Sequence, residues 1–145
     1  MAEHPERLSR SAFRLFRPVP TRWMDNDVYG HVNNVVYYSY FDTAVNAHLV
    51  DNGVLDPATS PVTGLVVETS CTYFESISFP ETVEAGIALD KLGRSSVTYR
   101  VAIFKERAEL AAAQGRFTHV YVDRASGRPV EIPAATRAVL EPLQT

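Results

Sequence analysis

The sequence predicts an α+β fold in which a curved antiparallel sheet of about five strands wraps around one central helix. Three observations predict it. One long helical segment is apolar on nearly every side, so it must be surrounded by protein rather than laid on a surface. Four segments after it alternate between apolar and polar residues with a period of two. Short connections join these segments, which favours antiparallel pairing.

The first element is an extended segment from about Phe13 to Trp23, which contains Pro18 and Pro20. Because proline cannot donate a hydrogen bond to a neighbouring strand, this segment is predicted to be an edge strand or an interrupted strand. Residues 24–31 follow and are rich in Asp, Asn and Gly, which is typical of a loop.

The central helix is predicted from about Asn34 to Val50, and the pair Asn52-Gly53 supplies its stop. Its polar residues fall on one narrow stripe, formed by Ser39, Asp42, Thr43 and Asn46. Nearly all other positions are apolar or aromatic. A helix of this kind needs a sheet that covers most of its circumference.

The first strand after the helix carries one row of alternating residues, Leu65, Val67, Thr69, Cys71 and Tyr73. Residues 83–89 and 97–103 alternate in the same way, and a further strand runs from about Ala108 to Val122. Pro133 begins a short terminal helix, where proline suits the first turn. A bent antiparallel sheet around one central helix is the hotdog fold.

The length of 145 residues predicts one domain, with a flexible tail over residues 1–12 and the folded domain over 13–145. No apolar run approaches the roughly 20 residues of a membrane-spanning helix. The N-terminal residues are charged and lack the apolar stretch of a secretory signal, so a cytoplasmic location is expected.

The formal net charge is −3, and the basic residues are scattered along the chain. A nucleic-acid-binding surface would need a concentrated Lys/Arg face, so no nucleic-acid partner is expected. Cys71 is the single cysteine, which excludes an intrachain disulfide and a CxxC metal site. It lies on an apolar row and is predicted to be a small buried apolar residue. His48 and His119 have no metal-ligand spacing, and no metal is expected.

Two carboxylates, Asp25 and Asp27, come after the first strand and just before the turn at Gly30. Asn33 or Asn34 can cap the helix, because a short amide side chain accepts a hydrogen bond from a free first-turn N–H group. The other first-turn N–H groups and the positive end of the helix dipole would point toward a molecule bound beside the loop.

A carboxylate beside such donors suits the hydrolysis of an acyl group. The donors polarise the carbonyl and stabilise its developing oxyanion, which is worth roughly 3–4 kcal/mol per donor. The carboxylate either attacks the carbonyl or deprotonates a water molecule. The residues alone leave open both this role and the choice between Asp25 and Asp27.

The run Asp25–Tyr37, DNDVYGHVNNVVY, resembles the signature of the 4-hydroxybenzoyl-CoA thioesterase-like hotdog family. It is especially similar to the long-chain acyl-CoA and acyl-carrier-protein thioesterases of that family. Residues 92–96, 120–123, 127–129 and 132–133 fit as well, and the resemblance covers roughly residues 13–141.

The resemblance implies an acyl-CoA thioesterase in which Asp27 is catalytic and the backbone N–H groups of about Asn34 and Val35 hold the thioester carbonyl. It implies no cofactor besides the CoA thioester substrate. It also implies a homodimer or homotetramer with each active site at a subunit interface. Asp42 is a helix carboxylate, as some other hotdog enzymes use, but it lies about two turns from the N-terminal donors and is discounted.

The other residues of the motif have secondary roles. Gly30 is predicted to be required by a turn with positive φ. His31 is predicted to order the loop or position the substrate, with titration in the reaction as the alternative. Asn33 and Asn34 are caps or turn residues, with substrate contact as the alternative. Tyr37 is predicted as a core residue rather than a wall of the substrate site. Asp25 is predicted to be structural, bound to loop amides or to an arginine such as Arg22.

Four residues outside the motif are further candidates. Glu68 lies on the row opposite Cys71, either solvated on the outer face or reaching the partner subunit's active site. Lys91, Arg94 and Ser95 surround a turn between two strands, where they either bind the CoA phosphates or are solvated.

Two other functions are alternatives to a thioesterase. A hotdog hydratase or dehydratase needs a His and an acid in a different motif on the central helix, which this helix start lacks. A non-catalytic acyl-CoA-binding module would keep the pocket and lose the carboxylate, whereas Asp27 is present. Hydrolysis of an acyl-CoA or acyl-carrier-protein thioester is therefore the predicted function.

Overall fold

The structure is a computed structural model and describes residues 5–145. Five strands form one antiparallel sheet, in which the order of the strands is β1-β3-β4-β5-β2. The strands are β1 Leu15–Pro20, β2 Val62–Tyr73, β3 Thr82–Leu92, β4 Ser96–Lys105 and β5 Ala113–Asp123. The helices are α1 Val36–Asp51 and α2 Ala134–Leu140. The predicted α+β fold, with a five-stranded sheet and one long central helix, is confirmed.

Helix α1 packs on the inner face of the sheet. Its buried residues are Tyr37, Tyr40, Phe41, Ala44, Val45 and Leu49. They join one core with the inward rows of β3 and β4, which include Ile87, Leu89, Val101 and Ile103. The polar stripe at Asp42 and Thr43 faces solvent. The helix therefore buries one broad apolar face against the sheet and leaves its polar stripe in solvent.

The first predicted strand is β1, and it lies at one edge of the sheet because β3 is its single partner strand within residues 5–145. Pro18 and Pro20 are compatible with that position, since an edge strand leaves half of its backbone groups without a partner strand. The last predicted strand begins later than expected. Its observed start is Ala113 rather than Ala108, and the intervening residues form a connection from β4.

The other edge strand, β2, contains a bulge that the sequence did not predict. Val66 pairs with His119 of β5, whereas Glu68 pairs with Thr118, so Val67 is an extra residue. The predicted alternating row from Leu65 to Tyr73 is wrong at this point, because an extra residue reverses the side-chain alternation. Thr69, Cys71 and Tyr73 share the inner face, while Leu65 is on the outer face.

The outer face of the sheet carries a second, smaller apolar cluster. Its buried members are Phe13, Ala88, Ala102, Phe104 and Ala111. The predicted tail contributes to it. Residues 1–4 lie outside the described residues, but Leu8 packs on this cluster and its N–H donates to Gln114 Oε1 at 2.8 Å. The chain from 5 to 12 thus lies along the outer face, since that face is apolar enough to bind it.

No helix within residues 5–145 is long and apolar enough to cross a membrane. The same part of the chain contains no group of three or more His, Cys, Asp or Glu side chains that could hold a metal ion.

His119 lies in the core, where burial lowers its pKa to about 4. It packs edge-on against Tyr99, Phe117 and Tyr121.

Candidate active site

The loop between β1 and α1 is attached to the segment that leads into β3. The Val32 N–H donates to the Ile77 carbonyl at 2.8 Å, and the Phe79 N–H donates to Asn26 Oδ1 at 3.0 Å. The Thr21 hydroxyl donates to the Glu81 carbonyl. These contacts join residues far apart in sequence, and they fix the loop at the N-terminal ends of α1 and β3.

Asp25 lies at the centre of this loop and is only 1% exposed. Its Oδ2 accepts hydrogen bonds from the Arg22 backbone N–H at 2.8 Å and from the Tyr40 hydroxyl at 2.6 Å. Its Oδ1 accepts from the Arg22 guanidinium at 2.9–3.0 Å. Burial alone would raise the pKa of Asp25, but the hydrogen bonds from Tyr40 and Arg22 outweigh it and lower the pKa below its ordinary value.

These contacts give Asp25 a structural environment of the kind predicted for it, including the contact with Arg22. The Asp25 carbonyl also accepts the Asn33 N–H at 2.9 Å. Asp25 therefore connects both ends of the loop to helix α1 through Tyr40. Both of its carboxylate oxygens accept hydrogen bonds from Arg22 or Tyr40, so it is poorly placed to receive a proton from a substrate.

Asp27 is half-buried and begins the next turn. Its Oδ1 accepts the Tyr29 N–H at 2.8 Å, and its own N–H donates to the His31 carbonyl at 2.8 Å. Gly30 has a φ of 81°, which a residue with a Cβ rarely adopts, so the expected conformational requirement is confirmed. The second carboxylate oxygen, Oδ2, has no hydrogen-bond partner within residues 5–145.

The backbone before α1 provides the expected donors. Val35 is the N-cap residue of α1, and no side chain within residues 5–145 caps the helix. Asn33, rather than Asn34, holds the turn before it: its Oδ1 accepts the Val35 N–H at 3.2 Å and its carbonyl accepts the Val36 N–H at 2.9 Å. The Asn34 N–H has no acceptor among the described residues. One free donor and one weakly held donor therefore lie at the positive end of the α1 dipole.

A cavity of about 390 Å³ brings Asp27, Asn34 and Tyr37 together. It is completed by Val32, Tyr73, Phe74, Glu75 and Ser76. Tyr37 is both a core residue, at 3% exposure, and a wall of this cavity. The prediction presented these two roles as alternatives, but a residue at the rim of the core can have both. Asp27 and Asn34, the residue just before α1 with a free N–H, thus line one cavity, which is large enough for part of a small ligand.

Sequence reasoning missed the other wall of this cavity, which is the end of β2 and the residues after it. Tyr73 donates its hydroxyl hydrogen bond to the Asn34 carbonyl at 2.7 Å and packs edge-on against Tyr37, with ring centroids 5.0 Å apart. Glu75 is a second carboxylate there, but it is paired with Arg7 and Lys105, whose hydrogen bonds lower its pKa. The only sequence signal was the position of Tyr73 on the same row as Cys71.

Three other candidate residues lie outside the lining of this cavity. The His31 side chain is exposed and makes no hydrogen bond within residues 5–145, so its contribution to loop order comes from its carbonyl. Cys71 is half-buried against the core, and burial raises its thiol pKa to about 11. Glu68 lines a separate groove on the outer face of the sheet.

The structure does not bring Lys91, Arg94 and Ser95 to Asp27 within one protomer. The Asp27 loop is attached near Thr82, where β3 begins, whereas Lys91 is near the other end of β3. Nine residues of extended chain span about 30 Å. The predicted role of this turn in binding CoA phosphates at the Asp27 cavity would therefore need the turn of another protomer.

Comparison with known proteins identifies the family of the chain. The model of the thioesterase-like superfamily matches residues 19–140, which include the Asp27 loop and all the residues that line the cavity. The curated protein YsmA of Bacillus subtilis, which is uncharacterised, is 24% identical over 89 residues. That match spans 61% of this chain and 60% of YsmA.

Solved structures share the fold over most of the chain. The PA5185 protein from Pseudomonas aeruginosa is 50% identical, with a TM-score of 0.94, and the match covers 97% of this chain and 98% of that one. The DHNA-CoA thioesterase from Staphylococcus aureus is 22% identical, with a TM-score of 0.71 over 80% of this chain and 78% of that one. The predicted hotdog fold is confirmed.

Proposed function

The chain belongs to the thioesterase-like superfamily, and from that premise we propose that it hydrolyses an acyl-CoA or acyl-carrier-protein thioester to a free acid and a thiol. One observation carries this proposal. Asp27 and the Asn34 segment line the same cavity, so a carboxylate and the N-terminal donors of α1 face one space. The DHNA-CoA thioesterase named above also makes a CoA thioester a reasonable substrate class to test first.

In the proposed reaction the thioester oxygen accepts the Asn34 N–H, and it accepts the Val35 N–H in place of Asn33 Oδ1. These donors stabilise the negative charge that develops on the oxygen, an effect worth roughly 3–4 kcal/mol per donor in well-studied enzymes. The α1 dipole adds to it. The geometry is suitable because the donors belong to a backbone segment that the loop contacts already fix.

Asp27 acts on the other side of the carbonyl carbon. As a general base it takes a proton from water while the water oxygen bonds to the carbon, and it returns that proton to the thiolate when the C–S bond breaks. As a nucleophile it forms an anhydride with the acyl group and releases the thiolate, after which water hydrolyses the anhydride. Both routes use the unpaired Oδ2 of Asp27.

A thiol-release assay tests the proposed function. Folded protein is incubated with a panel of acyl-CoA thioesters of different chain lengths and aromatic head groups, and free CoA is followed with a chromogenic disulfide. We expect release from at least one class of thioester. Release of no thiol from any member of the panel, nor from an acyl-carrier-protein thioester, would contradict it. A hydratase would instead consume an enoyl-CoA and leave its thioester bond intact.

The proposed active unit is a homodimer or homotetramer in which the β2 edges of two copies pair. In the part of the chain that the structure describes, β2 has a partner strand on one side only, and it contains the exposed residues Leu65, Val66 and Val67. An exposed apolar edge strand is an association surface that a monomer would normally protect. Since Tyr73 ends β2 and lines the Asp27 cavity, a second copy on this edge would border the open side of that cavity.

Light scattering tests this arrangement. The wild-type chain of 16.1 kDa is expected to run as a dimer or tetramer at micromolar concentration. Val67→Lys places a charge on the edge and should shift the population to monomer, while Leu110→Lys, at an exposed apolar residue away from β2, should not. A monomeric wild-type protein, or equal effects of the two substitutions, would contradict pairing through β2.

A further inference from the structure

Tyr73 links two parts of the site that are far apart in sequence. It is the last residue of β2, and its hydroxyl donates to the Asn34 carbonyl at 2.7 Å across a separation of 39 residues. Its ring packs edge-on against Tyr37 of the first turn of α1 at an interplanar angle of 89°. The end of the edge strand therefore contacts the start of the helix through both an aromatic contact and a hydrogen bond.

The Asn34 carbonyl and the Val35 N–H belong to the same peptide unit. That peptide is planar and trans, so its C=O and N–H point in opposite directions and turn together. A hydrogen bond that fixes the oxygen also fixes the direction of the N–H. On the N–H side the acceptor is Asn33 Oδ1 at 3.2 Å, the long end of the usual range, so this contact is the weaker of the two.

We propose that Tyr73 is a positioning residue, whose hydroxyl holds the peptide between Asn34 and Val35 so that the Val35 N–H can donate to the thioester oxygen. This inference rests on the proposed function. When substrate binds, the thioester oxygen replaces Asn33 Oδ1, while the Tyr73 hydrogen bond stays in place. A hydrogen bond to a carbonyl also polarises its peptide and strengthens the N–H as a donor. Tyr73 thus acts through Val35 and need not touch the reacting atoms.

The phenol of Tyr73 remains a donor across the physiological range. Burial, followed by the neighbouring Cys71, raises its pKa above the ordinary value for tyrosine. The hydroxyl stays protonated wherever the enzyme would work. The pH dependence of turnover should therefore contain no contribution from loss of this proton near neutral pH.

Tyr73→Phe tests the inference because it keeps the ring against Tyr37 and removes only the hydroxyl. We expect kcat to fall about 10-fold with KM nearly unchanged, since the Val35 N–H remains but is no longer held in the direction that suits the transition state. Tyr121→Phe is the matched control. It removes a phenol hydroxyl from the core at a site outside the cavity, and it should leave both parameters within about 2-fold.

The amide resonance of Val35 gives a readout that does not depend on turnover. In Tyr73→Phe its proton is expected to shift upfield and exchange faster with solvent, whereas Tyr121→Phe should leave it in place. An unchanged Val35 resonance, or an unchanged kcat in an active protein, would overturn the positioning role. If the wild-type protein releases no thiol, the proposed function fails instead, and the Val35 resonance alone then decides whether Tyr73 holds this peptide.

Discussion

Asp27→Asn is expected to lower kcat for thioester hydrolysis by at least about 100-fold. An amide can neither accept the proton of an attacking water nor form an anhydride with the acyl group. Both proposed routes are therefore lost in the same variant. KM should change much less, because the backbone donors of Asn34 and Val35 and the walls of the cavity are left intact.

Asp27→Asn should remove the carboxylate and leave the conformation of the loop unchanged. Asp27 Oδ1 accepts the Tyr29 N–H at 2.8 Å, and an asparagine Oδ1 can accept the same hydrogen bond. The turn at Gly30 should therefore persist, and the thermal midpoint of Asp27→Asn should stay within a few degrees of the wild type, or about 0.5 kcal/mol. A loss of activity then reports the chemistry rather than a disordered loop.

Two other carboxylates serve as comparisons in the same assay. Asp42→Asn changes an exposed helix residue whose Oδ1 accepts a hydrogen bond from the Asn46 side chain, and turnover should remain normal. Asp25→Asn should reduce kcat less than Asp27→Asn when both are measured on folded protein. If Asp27→Asn kept near-normal turnover and Asp25→Asn did not, the choice between the two carboxylates would be wrong.

The fold could be predicted from the sequence because its main features are local. The apolar circumference of α1 requires a sheet around it, and the prolines at 18 and 20 require an edge strand. The bulge at Val67 could not be predicted in this way. It depends on how β2 pairs with β5, about 50 residues away in sequence, and strict alternation contains no information about that pairing.

The site could be predicted only in part for a similar reason. Asp27, Gly30 and the helix donors are close in sequence, so a motif contains them all. Tyr73 is 39 residues from Asn34, and only the antiparallel course of β2 brings its hydroxyl there. Periodicity indicated which face Tyr73 occupies but not what lies opposite it. The position of the outer-face segment at Leu8 was missed because it also depends on packing between distant residues.

Asp25→Asn is expected to reduce the free energy of unfolding by about 3 kcal/mol at neutral pH. The carboxylate accepts three hydrogen bonds from Arg22 and Tyr40, and a second nitrogen of the Arg22 guanidinium lies 2.9 Å from its Oδ1. An asparagine has one acceptor oxygen, so one N–H of its amide must face a donor of Arg22 in either orientation. A buried donor without an acceptor costs about 1–3 kcal/mol, and the charge-assisted hydrogen bonds are lost as well.

The effect should depend on pH with a definite sign. Burial alone would raise the folded pKa of Asp25, but the hydrogen bonds from Tyr40 and Arg22 have the larger effect. They hold the folded pKa below the unfolded value of about 3.9. A group of this kind stabilises the fold fully above the unfolded pKa, and the stabilisation is lost as pH falls through the lower, folded pKa. The difference between wild type and Asp25→Asn should therefore be largest at neutral pH and shrink toward about pH 3.

Denaturant unfolding at one fixed protein concentration measures this difference, because association would otherwise contribute to stability. Asp51→Asn is the matched control, since it removes an exposed ion pair with Arg17 and should cost at most about 1 kcal/mol. Tyr40→Phe should cost about 1.5–3 kcal/mol and should not add fully to Asp25→Asn, because both substitutions act on the hydrogen bond between residues 25 and 40. Full additivity, or a loss that does not change with pH, would mean that Asp25 does not hold the loop to α1 through Tyr40.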